Sequence, residues 1–154
     1  MQIEKIVKPS FSVIGKQGST ADGAQFVAAL WADANAHFAE IAHLAKKHED
    51  GSLAGIWGAM SDFSMNFMPW EEEFSKGLYL AGVECAEDAE APEGWVKWTV
   101  PGFEYLKNEN DQPDSFVKMI GYMKENNLPL AGAAQDYTDP ATGKNYTLFP
   151  VRRL

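Results

Sequence analysis

The sequence predicts an α+β fold built from two duplicated strand–helix–strand–strand units that are related by a pseudo-two-fold axis. The units would form an antiparallel sheet surface with two helices packed on it and a central cleft where the halves meet. Three observations predict this. Six segments are rich in β-forming residues, two stretches repeat apolar residues at intervals of three and four, and short segments of the first half return in order in the second. The 154 residues correspond to a single domain, with units at about 2–86 and 94–152.

The first unit begins with a strand predicted over 2–17, in which Pro9 indicates a bend or a sheet edge. A long helix is predicted over 21–48, because its apolar residues return every three or four positions on one face. Ser19 and Asp22 have the spacing of a capping box at the start of this helix. The unit continues with a strand, a loop and a strand, predicted over 53–62, 64–72 and 74–86.

The second unit repeats this order. Its strand, helix and two further strands are predicted over 95–107, from Pro113 to just before Asn126, over 130–138 and over 145–152. Three segment pairs match between the units, namely KPSF (8–11) with VPGF (100–103), FVAAL (26–30) with FVKMI (116–120), and LAGI (53–56) with LAGA (130–133). The matches fall on strand, helix and strand in turn, which predicts the duplication.

The composition is that of a globular protein, with 45% hydrophobic and 23% charged residues. The net charge of −9 disfavours binding to nucleic acid, because like charges repel, and it favours cations near any cleft. The single cysteine, Cys85, excludes an intrachain disulfide framework and a thiolate metal cluster. No apolar run is long enough for a signal peptide or a membrane span, so we expect a soluble, cytoplasmic protein without nucleic-acid or membrane partners.

The common catalytic and metal-binding motifs are absent from the sequence. It contains neither a G-x-S-x-G nor an H-E-x-x-H segment. Glu40 and His43 have the E-x-x-H spacing of di-iron sites, but such sites need a second copy and further carboxylates. The three histidines all lie on the first predicted helix, and no two are four residues apart. We therefore predict no metal and no cofactor.

Large aromatic and methionine side chains concentrate between residues 57 and 80. Trp57 and Phe74 are expected first of all in the core. Four others lie in the predicted loop, where core packing and ligand contact are equally good interpretations: Met65, Phe67, Met68 and Trp70. Polarisable, adaptable side chains of this kind are typical of pockets that accept several ligands.

One carboxylate, Glu84, stands within an apolar strand. Strand alternation places it on the same face as Leu80 and Gly82. A buried carboxylate is costly unless it is paired. Glu84 therefore either faces water near the strand end, or lines a cleft where it meets a cation or acts as a base with a raised pKa.

Four segments give the chain a resemblance to the GyrI-like family: LYLAGVEC (78–85), PEGW (92–95), VPGFEYL (100–106) and YTLFPV (146–151). The likeness extends from about Ile3 to Arg152. The family comprises small-molecule effector-binding domains, also found at the C-terminus of AraC-type and MerR-type multidrug-sensing regulators. The resemblance implies a central cleft lined by aromatic residues and an acid, which takes up bulky, flat, often cationic compounds. Because the fold begins at residue 2 or 3, with no room for a preceding helix-turn-helix domain, we expect a stand-alone member.

The family's usual acidic positions are occupied differently in this sequence. Many members carry Glu four residues before the proline of the last strand, and that position is Tyr146 here. The acid often found two residues before the tyrosine of the preceding strand is replaced by Gln135. Glu84 or Glu104 would then be the pocket acid. The residues we predict to contact ligand are Trp31, Trp57, Met65, Phe67, Met68, Trp70, Tyr79, Glu84, Trp98, Glu104, Tyr137 and Tyr146, the last two tyrosines offering ring faces to a cation.

Three functions follow from these observations. The first is a binding protein that recognises or sequesters bulky, lipophilic, aromatic and cationic small molecules without chemistry. The second, implied by the resemblance, is a hydrolase that detoxifies electrophilic DNA-alkylating compounds, in which Glu84 or Glu104 would activate water. The third is a protein–protein modulator, since the family name refers to topoisomerase inhibition. Because the family's usual acidic positions are Gln135 and Tyr146 here, the binding function is favoured over hydrolysis. We therefore expect a binding protein more than an enzyme.

Overall fold

The computed structural model describes residues 2–154, which form one α+β layer structure. Its eight strands are β1 (Ile3–Lys8), β2 (Phe11–Ser19), β3 (Ile56–Ser61), β4 (Leu78–Cys85), β5 (Val96–Val100), β6 (Phe103–Glu109), β7 (Gln135–Thr138) and β8 (Asn145–Arg153). Its helices are α1 (Phe26–Ala36), the single turn α2 (Glu71–Phe74) and α3 (Ser115–Glu125). Short 3-10 turns follow Ser19 and α1, at Thr20–Asp22, Phe38–Glu40 and Ala42–Leu44.

All eight strands belong to one antiparallel sheet with the order β1-β6-β8-β7-β3-β4-β2-β5. This confirms the predicted α+β class and its antiparallel sheet. Each half of the chain runs strand, strand, helix, strand, strand, if the turn α2 is set aside. If β1 to β4 exchange labels with β5 to β8 in turn, and the sheet is read from its other edge, the strand order is unchanged. The middle of the sheet is the pair β7–β3, where the two halves meet.

Two of the predicted strands are each two strands. The predicted strand 2–17 is divided at Pro9, whose missing N–H interrupts the ladder, so that β1 and β2 lie far apart in the sheet. The predicted strand 95–107 is divided in the same way at Pro101 and Gly102, between β5 and β6. Each half therefore contributes four strands rather than three.

The long helix predicted over 21–48 is wrong in extent. The α-helix ends at Ala36, where the ring nitrogen Nδ1 of His37 lies 3.0 Å from the carbonyl oxygen of Asp33. The 3-10 turns that follow bring Ile41 and Ala45 into the core against β4. The apolar spacing that predicted one helix is therefore produced by a helix and a bent continuation. The predicted capping box is present at Ser19 but begins the short 3-10 turn.

Both faces of the sheet are covered by apolar packing. On one face, α1 packs over β2 and β4, and α3 packs over β6 and β8. On the other face, the sheet curves around a cluster that includes Trp57, Trp98 and Phe103, from strands that lie far apart in the sheet order. Within residues 2–154, no helix has the length and hydrophobicity needed to cross a membrane.

Candidate ligand-binding site

A cavity of about 390 Å³ opens above the central strands, between the first turns of α1 and α3. Its volume lies within the range of small-molecule sites, and most of its lining is apolar. The lining residues are Val27, Met60, Pro69, Trp70, Phe74, Tyr79, Asn110, Phe116, Ala133, Ala134, Asp136 and Thr147. Both halves of the chain contribute, because the cavity lies over the junction of β3 and β7.

Asp136 is the one acidic side chain in this lining. It lies on β7, directly opposite Thr147 of β8 and Gly58 of β3. Burial raises the pKa of Asp136 to about 6, although hydrogen bonds from Thr147 and Tyr79 act in the opposite direction. The carboxyl group is then mostly ionised at pH 7. Among residues 2–154, no lysine, arginine or histidine forms an ion pair with it.

A hydrogen-bond relay orients the tyrosine beside this carboxylate. The indole Nε1 of Trp31, on α1, donates to the hydroxyl of Tyr79 at 3.0 Å. The hydroxyl can then turn its own proton to Asp136. Burial raises the pKa of Tyr79, with the Asp136 charge adding to the effect, so the hydroxyl remains protonated as a donor. The relay connects the first helix to the acidic group of the cavity.

Because Gly58 has no side chain, the Tyr79 hydroxyl can occupy the space beside its Cα atom. A Cβ atom at this position would overlap that hydroxyl. We expect Gly58→Ala to displace the tyrosine and to raise the pKa of Asp136 further, because Asp136 loses a donor that favours its ionised form. Gly121→Ala on α3 is the matched control, since nothing lies within 4 Å of a Cβ there. NMR titration of the Asp136 carboxyl group in both variants measures the difference, and equal pKa values would show that the hydroxyl position is unimportant.

The aromatic wall of the cavity comes from the segment that precedes β4. Trp70 is fixed by a hydrogen bond from its Nε1 to the carbonyl oxygen of Leu78 at 2.9 Å, and its ring fills the space beside Gly77. Phe74 packs edge-to-face on Phe116 of α3, with ring centroids 5.3 Å apart. This contact joins the two halves of the chain at the cavity.

Two buried polar side chains shape the loop that leads to Trp70. The Asp62 carboxylate accepts the backbone N–H of Asn66 at 2.8 Å, and the Ser61 hydroxyl accepts that of Phe67 at 2.9 Å. The loop passes through positive φ at Met65 and Phe67, an uncommon conformation for such residues. The local hydrogen bonds stabilise this path, which explains why apolar loop residues reach the cavity.

Comparisons with known proteins extend this description. No protein-family model matches the chain, and no curated protein matches it. Among solved structures, the chain is similar to EcmrR in an EcmrR–DNA complex, with a TM-score of 0.66 and 11% identity over 99% of this chain and 58% of that one. The isolated EcmrR C-terminal domain gives a TM-score of 0.62, with 10% identity over 99% of this chain and 98% of that one.

The similarity to two further solved structures extends over nearly the whole length of both chains. SAV2435 bound to tetraphenylphosphonium has a TM-score of 0.63 and 16% identity, over 100% of this chain and 94% of that one. A hydrolase from Listeria innocua has a TM-score of 0.53 and 13% identity, over 97% of this chain and 91% of that one. The chain shares the fold of these proteins. It spans 58% of the EcmrR chain in the DNA complex, so that similarity concerns one part of EcmrR.

The structure divides the predicted contact residues among several environments. Trp70 and Tyr79 line the central cavity, and Trp31 bonds to Tyr79 beside it. Met65 and Met68 are exposed in the loop before Trp70. Phe74, which we expected in the core, is partly exposed at the cavity.

Four predicted contact residues come together around a smaller cavity on the other face of the sheet. Glu84, Trp57 and Tyr137 line this cavity, and Tyr146 stacks on Tyr137 with ring centroids 6.3 Å apart. The structure brings these four together, but apart from Trp70 and Tyr79. Part of the predicted contact set therefore falls into two separate sites.

The remaining predicted contacts lie in the core or at the surface. Phe67 and Trp98 are buried against each other at 5.9 Å, and the Trp98 Nε1 donates to Gln17. Glu104 lies at the protein surface between Lys5 and Arg152, whose hydrogen bonds hold the pKa of Glu104 below its ordinary value. These residues line none of the cavities described above.

The sequence reasoning missed Asp136. It looked for an acid two residues before Tyr137, which is Gln135, whereas the cavity acid is one residue before it. Residues at odd and even positions of a strand face opposite sides, so Gln135 and Tyr137 share the far face while Asp136 faces the helices. The sequence of β7, QDYT, has no alternation of apolar and polar residues that would have marked Asp136 as the residue facing the helices.

Proposed function

We propose that the protein binds bulky, lipophilic, aromatic cations in the cavity between α1 and α3. The observation that carries the proposal is an ionised Asp136 in an aromatic cavity with no cationic partner among residues 2–154. A buried charge is costly unless it is paired. A ligand cation would supply the missing partner.

The physical properties of such a ligand match those of the cavity. A cation whose charge is shielded by apolar groups loses little hydration when it enters, and aromatic rings attract it by their negative faces. Trp70, Phe74 and Phe116 supply those rings. Three consecutive glutamates, Glu71, Glu72 and Glu73, follow Trp70 at the surface and would attract cations to the opening.

The comparisons support this proposal. One protein with the same fold is bound to tetraphenylphosphonium, a lipophilic cation. We further propose that the chain is a member of the GyrI-like family and that its halves are duplicated units, which the repeated element order and the palindromic strand order support. The cavity would then lie on the axis that relates the units.

Tetraphenylphosphonium is the probe that tests the proposed function. We expect it to bind with a Kd of roughly 1–10 μM, about −7 to −8 kcal/mol, and to change the emission of Trp70. Triphenylphosphine oxide, which is neutral and similarly aromatic, should bind more weakly because it leaves Asp136 unpaired. Fluorescence titration and calorimetry of both compounds measure the difference.

Two results would contradict the proposal. One is an unchanged emission and no heat with tetraphenylphosphonium up to its solubility limit. The other is equal affinity for the neutral and the charged compound, which would leave Asp136 without the role assigned to it. Trp70→Phe serves as the control variant, since it retains an aromatic ring and removes the emission signal of this site.

Hydrolysis is a second candidate function, favoured by the raised pKa of Asp136. A carboxylate that titrates near neutral pH in an apolar site can act as a general base. It would take a proton from a water molecule while the water oxygen bonds to an electrophilic carbon, and the leaving atom would depart with the bonding electron pair. A time-dependent loss of an electrophile's absorbance, abolished by Asp136→Asn, would establish this activity. A signal that saturates at one equivalent of protein and does not continue would exclude turnover.

A further inference from the structure

We propose that the protein has a second ligand site, for a small aromatic carboxylate, on the face of the sheet opposite Asp136. The site is a cavity of about 190 Å³ whose lining includes Lys8, Trp57, Lys107 and Tyr137. Because side chains alternate along a strand, Tyr137 faces this cavity while its neighbour Asp136 faces the first. The proposal does not depend on cation binding at Asp136.

The only carboxylate in this lining is already engaged by its neighbours. Glu84 accepts a hydrogen bond from Trp57 Nε1 at 3.1 Å, and its Oε1 lies 3.4 Å from the Nζ of Lys8. Its Oε2 lies 3.8 Å from the Nζ of Lys46. Glu84 is nearly buried, so these contacts compensate its charge. An incoming cation would have to displace a lysine from it.

Lys107 carries the charge that is available to a ligand. Its Nζ lies 4.3 Å from the ring centroid of Tyr146 and 5.4 Å from that of Tyr137. Among residues 2–154 it has no ion pair with a carboxylate within 4 Å, although the exposed Glu4 faces it across the β1–β6 ladder. Cation–π contacts leave ammonium hydrogens free to donate. Lys107 can therefore bind an anion without losing an existing ion pair.

The charge of the site is opposite to that of the whole chain. Lys8 and Lys46 contact the carboxylate of Glu84, and Lys107 lines the same cavity. With the carboxylates of Glu84 and Glu4 counted, the three lysines leave a local excess of one positive charge. The chain as a whole carries −9. A positive cleft in a negative protein concentrates anions locally.

The size and walls of the cavity indicate an aromatic anion. Trp57 and Tyr137 pack at 4.8 Å between centroids, and Ile6 and Leu148 complete an apolar lining. An apolar cavity of about 150 Å³ is enough to hold benzene. A volume of about 190 Å³ therefore accommodates one ring with a carboxylate, the ring against Trp57 and Tyr137 and the carboxylate toward Lys107.

Benzoate is the probe for this site. Titration of the folded protein with benzoate at pH 7.5 and low salt, followed by calorimetry and by backbone amide NMR shifts, should show saturable binding with shifts on β7 and β8. Lys107→Met should weaken it about tenfold, because a charge-assisted hydrogen bond is lost. Lys124→Met, an exposed lysine on α3, should leave it unchanged. Glu4→Gln should strengthen it by removing a competing negative charge.

Independence from the cation site is part of the test. Saturation with tetraphenylphosphonium should leave the benzoate affinity unchanged within a factor of about two, and benzamide, which is neutral, should not bind measurably. The proposal would be overturned if benzoate does not saturate, if Lys107→Met binds it as the parent does, or if tetraphenylphosphonium displaces it. Failure of the phosphonium titration alone would leave this site intact, so the two proposals fail separately.

Discussion

Asp136→Asn is expected to weaken tetraphenylphosphonium binding about 30-fold while leaving the affinity for triphenylphosphine oxide within a factor of about three. The change retains the shape of the side chain and one acceptor oxygen for Thr147 or Tyr79, and it removes the negative charge. Tetraphenylphosphonium cannot donate a hydrogen bond, so the lost interaction is Coulombic, and two unit charges about 6 Å apart attract by about 3 kcal/mol at an effective dielectric constant of about 20. Calorimetric titration of parent and variant with both compounds measures this difference.

Glu84→Gln is the matched comparison, because the sequence predicted Glu84 as one of two pocket acids. Glu84 lines the cavity on the other face of the sheet and already has two lysine partners. We expect its neutral variant to bind tetraphenylphosphonium with the parent's affinity. A loss of affinity in Glu84→Gln, together with full affinity in Asp136→Asn, would restore the sequence prediction and refute the assignment to Asp136.

The fold class could be predicted from the sequence because it depends on local patterns. Period-2 segments and turn residues indicated most of the strands, and the antiparallel α+β arrangement followed from them. Pro9 indicated a bend within residues 2–17. It did not indicate that β1 and β2 would lie near opposite edges of the sheet. Such long-range placement depends on pairing partners that local propensity does not specify.

The site could be predicted only in part, for a similar reason. Trp70 and Tyr79 were identified from their chemistry, and both line the central cavity. Composition cannot tell which face of a strand a residue occupies when both faces are buried, and here apolar clusters cover both. Tyr137 and Trp57 therefore looked equivalent to Trp70, although the sheet separates them. Asp136 differs from Gln135 by one position, and that single step changes the face.

The raised pKa of Asp136 has a consequence for stability as well as for binding. The carboxyl group has a pKa of about 6 in the folded protein and an ordinary value of 3.8. Between these values the folded state binds more protons than the unfolded chain, so stability decreases as the pH rises from about 4 to about 6. Two units of pKa correspond to roughly 2–3 kcal/mol. Above pH 6 the ionised group destabilises the folded protein by this amount.

Asp136→Asn should therefore be more stable than the parent at pH 7 by about 2 kcal/mol and nearly equal to it at pH 4. Urea unfolding of both proteins at intervals from pH 4 to pH 8 measures the difference in their free energies of unfolding. The titration of all other carboxyl groups cancels in this difference, because both proteins share them. At one fixed concentration, tetraphenylphosphonium should stabilise the parent more than the variant, by up to about 2 kcal/mol, and most strongly above pH 6, where Asp136 is ionised. A difference that is independent of pH, or one that grows toward low pH, would show that this carboxyl group is not buried in the way the cavity geometry requires.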